Sequence, residues 1–453
     1  MQILDFDVVV LGGGPGGAIA AIASARAGAK TLLVEREGYL GGALTACGVG
    51  PMMTFHAGEK QVVRGLAGEM VDRLITRGYS PGHMEDFVGY TSTVTPFDAE
   101  GMKIVWEDMA VEAGVTLLYH AVYTGCEVEN GHINSVDVFT KGGFLKVNAK
   151  VFVDATADAD LAVNAGIGTV YGRDADNLAQ PMTLNMKLYN VDREAMMDFV
   201  INNPEDNLPS IPHERLRLIP RTGMQGAYSI LQKAKDNGEF HIDRDQVLVF
   251  ETNNFGEFII NMSRVCKHTV TDAFAYTATE IEGRKQCEEI YAFLRNHVPG
   301  FANSRVAFTG PSIGVRESRK VNGVYKLMAE DLLENRMFDD AISMGGYPID
   351  IHSPDGQAME HRHLAPGSWY SIPYRCLITN ESDNLVMAGR CISASHEALA
   401  AIRATPILMG YSQASGLSAA MAAKGGYGVQ VIDAQALRRQ LKDDGVFLEP
   451  YQA

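Results

Sequence analysis

One short segment near the start of the chain constrains its fold more than any other. Phe6 to Leu11 is a valine-rich apolar run, the pattern of a strand buried on both faces of a parallel sheet. Gly12-Gly13-Gly14-Pro15-Gly16-Gly17 follows. Ala18 to Ala27 is then alanine-rich with few breakers, as suits a helix packed close on a sheet. Thr31 to Val34 is a second apolar run, and it ends in Glu35. The order is therefore strand, Gly-x-Gly-x-x-Gly, helix, strand, acid. In such a unit Gly12 permits the tight turn, Gly14 lets the backbone approach a pyrophosphate, and Gly17 lets helix and strand pack closely. The helix start turns free N–H groups and a partial positive charge toward the phosphates. Glu35, about 20 residues beyond the motif, can accept hydrogen bonds from ribose hydroxyls. A glycine-rich turn alone is a common structural device; the flanking strands, helix and acid turn it into a dinucleotide signature.

The remaining composition narrows the partners. The chain has 453 residues, enough for two or three domains, and 46% of them are hydrophobic. Its formal charge of −16 argues against nucleic acid or an anionic membrane as a main partner, because both call for a basic face. The six cysteines, Cys47, Cys126, Cys266, Cys287, Cys376 and Cys391, are scattered and form no Cys-x-x-Cys pair, so no zinc ribbon or thioredoxin-type dithiol is indicated. Few cysteines in a long chain suit a reducing compartment. Met1 to Asp5 carries no basic start or cleavage site, and glycine and charge interrupt the apolar stretches. The expectation is a cytoplasmic protein without a signal peptide or membrane span.

Along the chain, residues 38–50 are glycine-rich, which suggests backbone laid against a ligand. Helices are expected over Val62 to Arg77 and Asp98 to Ala113, and a third parallel strand over Val115 to Tyr119. Asn130-Gly131 marks a hairpin between a strand ending at Glu129 and one over Ile133 to Phe139. A turn at Lys141-Gly142-Gly143 leads to a third antiparallel strand, Phe144 to Val151, after which Val151 to Asp154 re-enters the sheet. Such a meander between parallel strands is unusual in nicotinamide-binding dehydrogenases. Pro204, Pro209, Pro212 and Pro220 mark an irregular region. Strand candidates beyond and around it are Met182 to Tyr189, Gln246 to Glu251 and Glu257 to Met262, with a long helix over Asp272 to Arg295. Asn384 to Arg390 reads as a buried strand, and a small-residue helix follows from Thr405 to Lys424.

Four segments together resemble the FAD-dependent oxidoreductases of the glutathione-reductase-like superfamily. They are the fingerprint through Glu35-Arg36 and Gly41-Gly42; Asp154-Ala155-Thr156-Ala157-Asp158, similar to the family's Asp-Ala-Thr-Gly-Asp; Gly314-Val315-Arg316-Glu317-Ser318-Arg319, similar to its Gly-x-Arg-Glu-x-Arg; and Asn384 to Arg390 with Ser395, His396, Arg403, Gly410 and Gly416. Ala157 departs from the pattern, since a methyl there crowds the backbone if φ is positive. The resemblance implies an α/β protein: a Rossmann-like FAD-binding domain with a parallel sheet and a three-stranded β-meander, plus an inserted α+β substrate domain. Its boundaries would be 1–165 and 371–453 for the FAD-binding parts and 166–370 for the insertion. It implies one FAD, held by Gly12, Gly14, Pro15, Gly16, Gly17, Glu35, Arg36, Gly41, Gly42, Ala43, Thr45, Val122, Ala155, Asp158, Gly389 and Arg390. The helix at Thr405 would aim its positive end at the flavin pyrimidine, where the charge of reduced flavin gathers.

Flavin itself moves the electrons, so the protein's constellation can be small. The residues put forward for it are His396, as a proton donor or acceptor, and Arg316, as a clamp on an anionic substrate or on reduced flavin. The alternatives are a packed histidine and, for Arg316, Glu317 and Arg319, an ion-pair network at a helix start. Arg403 suits helix capping and pyrophosphate pairing equally. Cys47 stands alone in its loop, which rules out a dithiol relay and favours a small buried side chain. His352, His361 and His363 have the residue types of a metal site, but the reading adopted is a polar, solvated or substrate-facing loop with no metal. Tyr370, Tyr374 and Arg375 could line a pocket, although tyrosines in such runs usually fill cores. The expected activity is oxidation or reduction of a small organic substrate by hydride transfer to or from flavin N5. Alternatives are a flavin monooxygenase, disfavoured by Gly389-Arg390 where those enzymes carry Gly-Asp, and an FAD-containing electron-transfer or scaffold subunit. No second Gly-x-Gly-x-x-Gly follows a strand, so NAD(P)H or a redox protein would be a diffusing partner. A homo-oligomer is compatible with the sequence.

Overall fold

The computed structural model describes residues 2–207, 212–355 and 360–452. The opening strand β1 (Gln2–Leu11) feeds helix α1 (Pro15–Arg26) and strand β2 (Thr31–Val34). Helix α2 (Leu66–Thr76) and helix α3 (Ala99–Ala113) precede the short strand β3 (Thr116–Leu118). A meander follows: β4 (Val122–Glu129), β5 (His132–Thr140) and β6 (Gly143–Asp154). The inserted region supplies β7 (Met186–Tyr189), β8 (Gly223–Gly226), β9 (Val247–Glu251), β10 (Phe258–Ile260), helix α4 (Ala273–His297) and β11 (Arg305–Thr309). Strand β12 (Leu385–Met387), the short helix α5 (His396–Ile402) and the long helix α6 (Thr405–Gly425) complete the elements that shape the site.

The main sheet has the order β3-β2-β1-β6-β5-β4, with β12 also on β6. Strand β6 holds this sheet together. One edge runs parallel to β1 over its whole length, from Gln2 opposite Leu145 to Leu11 opposite Asp154. Its other edge is divided: the first half pairs antiparallel with β5, and Phe152 to Asp154 pair parallel with β12. The last strand of the meander and the re-entrant strand, expected as two pieces, are thus one continuous strand. This places the end of β6 and the C-terminal strand side by side next to the glycine turn.

A second, five-stranded sheet has the order β8-β9-β10-β7-β11 and is antiparallel throughout. Two apolar cores accompany the two sheets. The second takes residues from Met84 to Val94 and from Met182 to Ile313, while Val321 and later buried residues pack into the first. The fold is therefore a Rossmann-like α/β unit joined to an α+β unit.

Local chemistry explains most element ends. Asp98 caps α3 by accepting from the N–H groups of Glu100 and Gly101, and Gly114 ends it in the left-handed conformation. Asp272 caps α4 by accepting from the N–H of Ala275. Several expected elements are shorter or shifted. Helix α1 starts at Pro15, because proline suits the first helical turn. The expected helix from Val62 starts only at Leu66. The strand from Met182 is regular only from Met186; Met182 and Thr183 make isolated bridges to Val265 and Gly314. Gly389 to Cys391 leaves the β12 ladder as a single tight helical turn. Arg316 to Arg319 does not open a helix: Arg319 begins a short strand over Arg319–Val321 that pairs with Thr169–Tyr171. Among the described residues, no helix is long and apolar enough to cross a membrane.

Candidate active site

The glycine turn is built for close approach, and each of its glycines is held for a separate reason. Gly12 has φ +101°, and a Cβ there would lie 2.3 Å from the Ala155 carbonyl oxygen. A Cβ on Gly17 would fall 1.8 Å from the Gly12 carbonyl oxygen, so α1 can rest on β1 only with glycine there. Gly14 is different: a Cβ there would meet no protein atom within 4 Å. It borders open space at the N-terminus of a helix that has no side-chain cap. Among the described residues no side chain caps the first N–H groups of α1 beside that space. Glu35 closes the other side. Its Oε2 accepts from the Gly13 N–H at 2.6 Å and its Oε1 from the Glu37 N–H at 2.8 Å. Burial pushes its carboxyl above the usual range, and the two N–H donors oppose that only in part.

Beside the turn, the segment after β6 is bent around its own acid. The buried Asp154 accepts from the Thr156 N–H (3.0 Å), the Thr156 hydroxyl (2.6 Å) and the Ala162 N–H (3.0 Å). Within this loop Ala157 has φ +73° and Ala159 φ +56°. The departure seen in the sequence is real: an alanine occupies a left-handed position that glycine would take at less steric penalty. The loop is then clamped from outside. Arg390 donates to Asp158 (2.8 Å) and to the Ser318 hydroxyl (2.6 Å), and Arg319 Nε donates to the Asp158 carbonyl at 2.7 Å.

A single cavity of about 520 Å³ runs from this turn into the interior. At its outer end it is lined by Gly12, Gly14, Pro15, Gly16, Gly17, Glu35, Arg36, Gly42, Ala43, Val122, Ala155, Asp158, Gly389 and Arg390. Gly41 and Thr45 stand behind this wall: the Gly41 N–H donates to the Gly13 carbonyl (2.9 Å) and the Thr45 hydroxyl to the Leu40 carbonyl (2.8 Å). The start of α6, Ala404 and Thr405, also lines the cavity, again with no side-chain cap. Cys47 also lines it, half-buried, its Sγ 3.6 Å from the Ser312 hydroxyl, and burial pushes its thiol up.

The inner end contains residues that sequence reasoning did not assemble. Arg316, Arg403, Tyr90, Tyr347, Asp350, His352 and His361 all face it. Asp350 is the hub. Its carboxylate lies 3.2 Å from His352 Nε2, 3.4 Å from the Tyr347 hydroxyl, 3.4 Å from His361 Nδ1 and 3.8 Å from Arg403. Burial opposes its charge, but the hydrogen bond from His352 and the charge of Arg403 prevail and hold it well below the carboxylate range. Burial pushes His352 down to about 3, so it is neutral at pH 7. The Tyr90 hydroxyl meets His361 Nδ1 at 3.1 Å. Burial raises both Tyr90 and Tyr347, which therefore remain protonated.

His396 is not brought to the cavity wall. It opens α5 with its Nδ1 2.6 Å from Glu317 Oε2, both side chains buried. Glu317 also pairs with the buried Lys320 at 2.5 Å and accepts from the Gln180 N–H at 3.1 Å. Tyr370 and Tyr374 are core residues, and Arg375 pairs with Asp340 at 3.0 Å. Of the histidine-rich stretch, His352 and His361 reach the cavity and His363 does not; residues 356–359 lie outside those described. No group of three His, Cys, Asp or Glu side chains placed to hold a metal ion occurs among the described residues.

The donor set fits a dinucleotide flavin. Two uncapped helix starts, an open backbone cradle at Gly14 and an acid beside it line one elongated cavity. Comparison with known proteins agrees. Residues 7–441 match the family model described as FAD dependent oxidoreductase. A 174-residue stretch is 29% identical to a digeranylgeranylglycerophospholipid reductase of Methanoculleus marisnigri, covering 37% of this chain and 42% of that one. A 37-residue stretch is 62% identical to a dihydrolipoyl dehydrogenase of Trypanosoma brucei brucei, 8% of each chain. The chain thus spans less than half the length of these curated relatives. In fold it resembles a geranylgeranyl bacteriochlorophyll reductase-like protein of Thermoplasma acidophilum, with a TM-score of 0.50 at 15% identity over 98% of this chain and 84% of that one. The chain belongs to the FAD-dependent oxidoreductase family, and its cofactor is FAD.

Proposed function

We propose that this chain oxidises or reduces a small organic substrate bound in the inner end of the cavity, with FAD occupying the outer end, and that its FAD-binding part is of the glutathione-reductase-like type. The observation that carries this reading is the continuity of the cavity, from the cradle at Gly14 to the cluster around Asp350.

When bound, FAD supplies a ring that takes up or gives up a hydride. The N–H groups at the start of α1 would hold its diphosphate, Glu35 the adenosine ribose, and the Val122 backbone the adenine. Asp158, Gly389 and Arg390 would flank the ribityl chain, and the positive end of α6 the pyrimidine edge. Tyr90, Tyr347, Leu248 and Phe250 give the substrate a largely apolar enclosure that keeps water away. The Tyr347 hydroxyl donates to Asp350, and the protonated Tyr90 hydroxyl is placed to orient a polar group of the substrate. His361, between Tyr90 and Asp350, is the group placed to hold or pass a proton. His396 acts through Glu317 as a positioning residue. The second half-reaction would go to a separate NAD(P)H or redox protein.

The test is anaerobic mixing of the FAD-loaded protein with a panel of small organic donors. Substrate-dependent bleaching of the flavin supports the reading. A loaded protein whose flavin responds to no donor, acceptor or NAD(P)H, and which co-purifies with a stable partner, supports an electron-transfer or scaffold subunit instead.

A further inference from the structure

We propose that the inner end of the cavity binds an organic anion, a carboxylate carried on an apolar body, with Arg316 and Arg403 as its anchors. This deepens the reading of the cavity as a substrate site and rests on it.

Both guanidinium groups line the inner chamber, and both are incompletely neutralised. Arg316 Nη1 donates to the Pro181 carbonyl at 2.8 Å and to the Thr183 hydroxyl at 2.5 Å. Neither of these partners is a carboxylate. Arg403 Nη2 donates to Gln180 Oε1 and to the Asp350 carbonyl, each at 3.3 Å, and its nearest carboxylate oxygen is 3.8 Å away. Its Nε is buried with no partner. By contrast, Arg390 sits on Asp158 at 2.8 Å and Arg193 on Glu251 at 3.0 Å.

Asp350 does not complete the balance. It is shared among His352, His361, Tyr347 and Arg403, and with His352 neutral the Arg316–Arg403–Asp350 group keeps a net positive charge. A further buried arginine, Arg244, stands behind and donates to the Asn261 carbonyl (3.1 Å), with Asp243 and Asp245 nearby. Burial first, then Arg403, pushes Arg316 down to about 9, and Asp350 opposes this only in part. A planar carboxylate matches such a guanidinium pair in charge and in fork geometry. Met53, Tyr90, Leu248, Phe250 and Tyr347 provide the apolar surface for the rest of the ligand.

The experiment uses the FAD-loaded protein and two acid–amide pairs, phenylacetate with phenylacetamide and hexanoate with hexanamide, followed by calorimetry and by perturbation of the flavin absorption band. At least one acid is expected to bind tenfold or more tightly than its amide. Arg316→Gln and Arg403→Gln are expected to abolish that preference while retaining FAD. Equal binding of acid and amide, or no binding of either acid, overturns the proposal. So does loss of FAD from a folded Arg316→Gln protein, because the arginine would then serve the cofactor. The acid–amide comparison in the unaltered protein stands even if a variant fails to fold. A protein that cannot be loaded with FAD at all contradicts the underlying functional reading instead.

Discussion

Arg390 Nη2 lies 2.8 Å from Asp158 Oδ1, joining the turn after β12 to the loop after β6. These segments are more than 230 positions apart in sequence, yet both line the outer cavity. The pair is therefore a clasp across the proposed cofactor path. Replacing one partner leaves a largely buried charge without its counterpart. The full penalty for that is about 3–5 kcal/mol, and the partial exposure of Asp158 lowers it to roughly 1–3 kcal/mol. Arg390→Leu is expected to lower the urea midpoint accordingly and to weaken FAD retention, read as flavin released on gel filtration. Unchanged midpoint and retention would remove the clasp from the account.

Glu317 connects Lys320 to His396, and all three side chains are buried. Glu317→Gln strands the Lys320 ammonium and is expected to destabilise the fold by about 3 kcal/mol. His396→Ala is expected to leave FAD bound and to slow flavin reduction only modestly, with the change following stability. A large loss of reduction rate at unchanged stability would make His396 a group that touches the reacting atoms.

The outer cavity was legible because its signals are local. Gly12, Gly14 and Gly17 have their roles within one strand–turn–helix, and Glu35 lies on the next strand. The inner chamber was not. Tyr90, the Tyr347–Asp350 stretch and Arg403 come from three segments far apart in sequence, and only the fold brings them to one chamber. Arg316 and the histidine-rich stretch were visible as candidates, but their common neighbour Asp350 was not singled out. The expectation of a helix at Arg316 failed because alternating charges near a glycine read equally well as a strand entry. Strand β6 was divided in expectation because its two halves have different partners on one edge.

Ala157 offers a stabilising change. Its φ of +73° is a left-handed conformation, which burdens an L-residue by about 1–2 kcal/mol. Glycine removes that strain but loses more chain entropy on folding. Ala157→Gly is expected to gain about 0.5–1 kcal/mol in urea unfolding, with FAD still bound. A loss of stability would show that the methyl makes contacts that outweigh the strain.

His83 gives a pH dependence with a definite sign. Burial, reinforced by the neighbouring His56, pushes it down to about 4 from 6.5. The unfolded chain therefore takes up a proton below about pH 6.5 that the folded chain refuses until about pH 4. Its contribution to stability is complete above pH 6.5 and is lost as pH falls toward 4. His83→Gln is expected to flatten the decline of the urea midpoint between pH 6.5 and 4. An identical slope in the two proteins would contradict the assignment.

The central claim is that the turn at Gly14 grips the diphosphate of FAD. It is tested most directly by the flavin content of native protein beside that of Gly14→Val, whose branched side chain would project into the open cradle. The account expects about one FAD per chain in the native protein and a folded, colourless variant that cannot be reloaded. A folded variant that keeps its yellow colour, or a native protein that takes up no FAD, would contradict it.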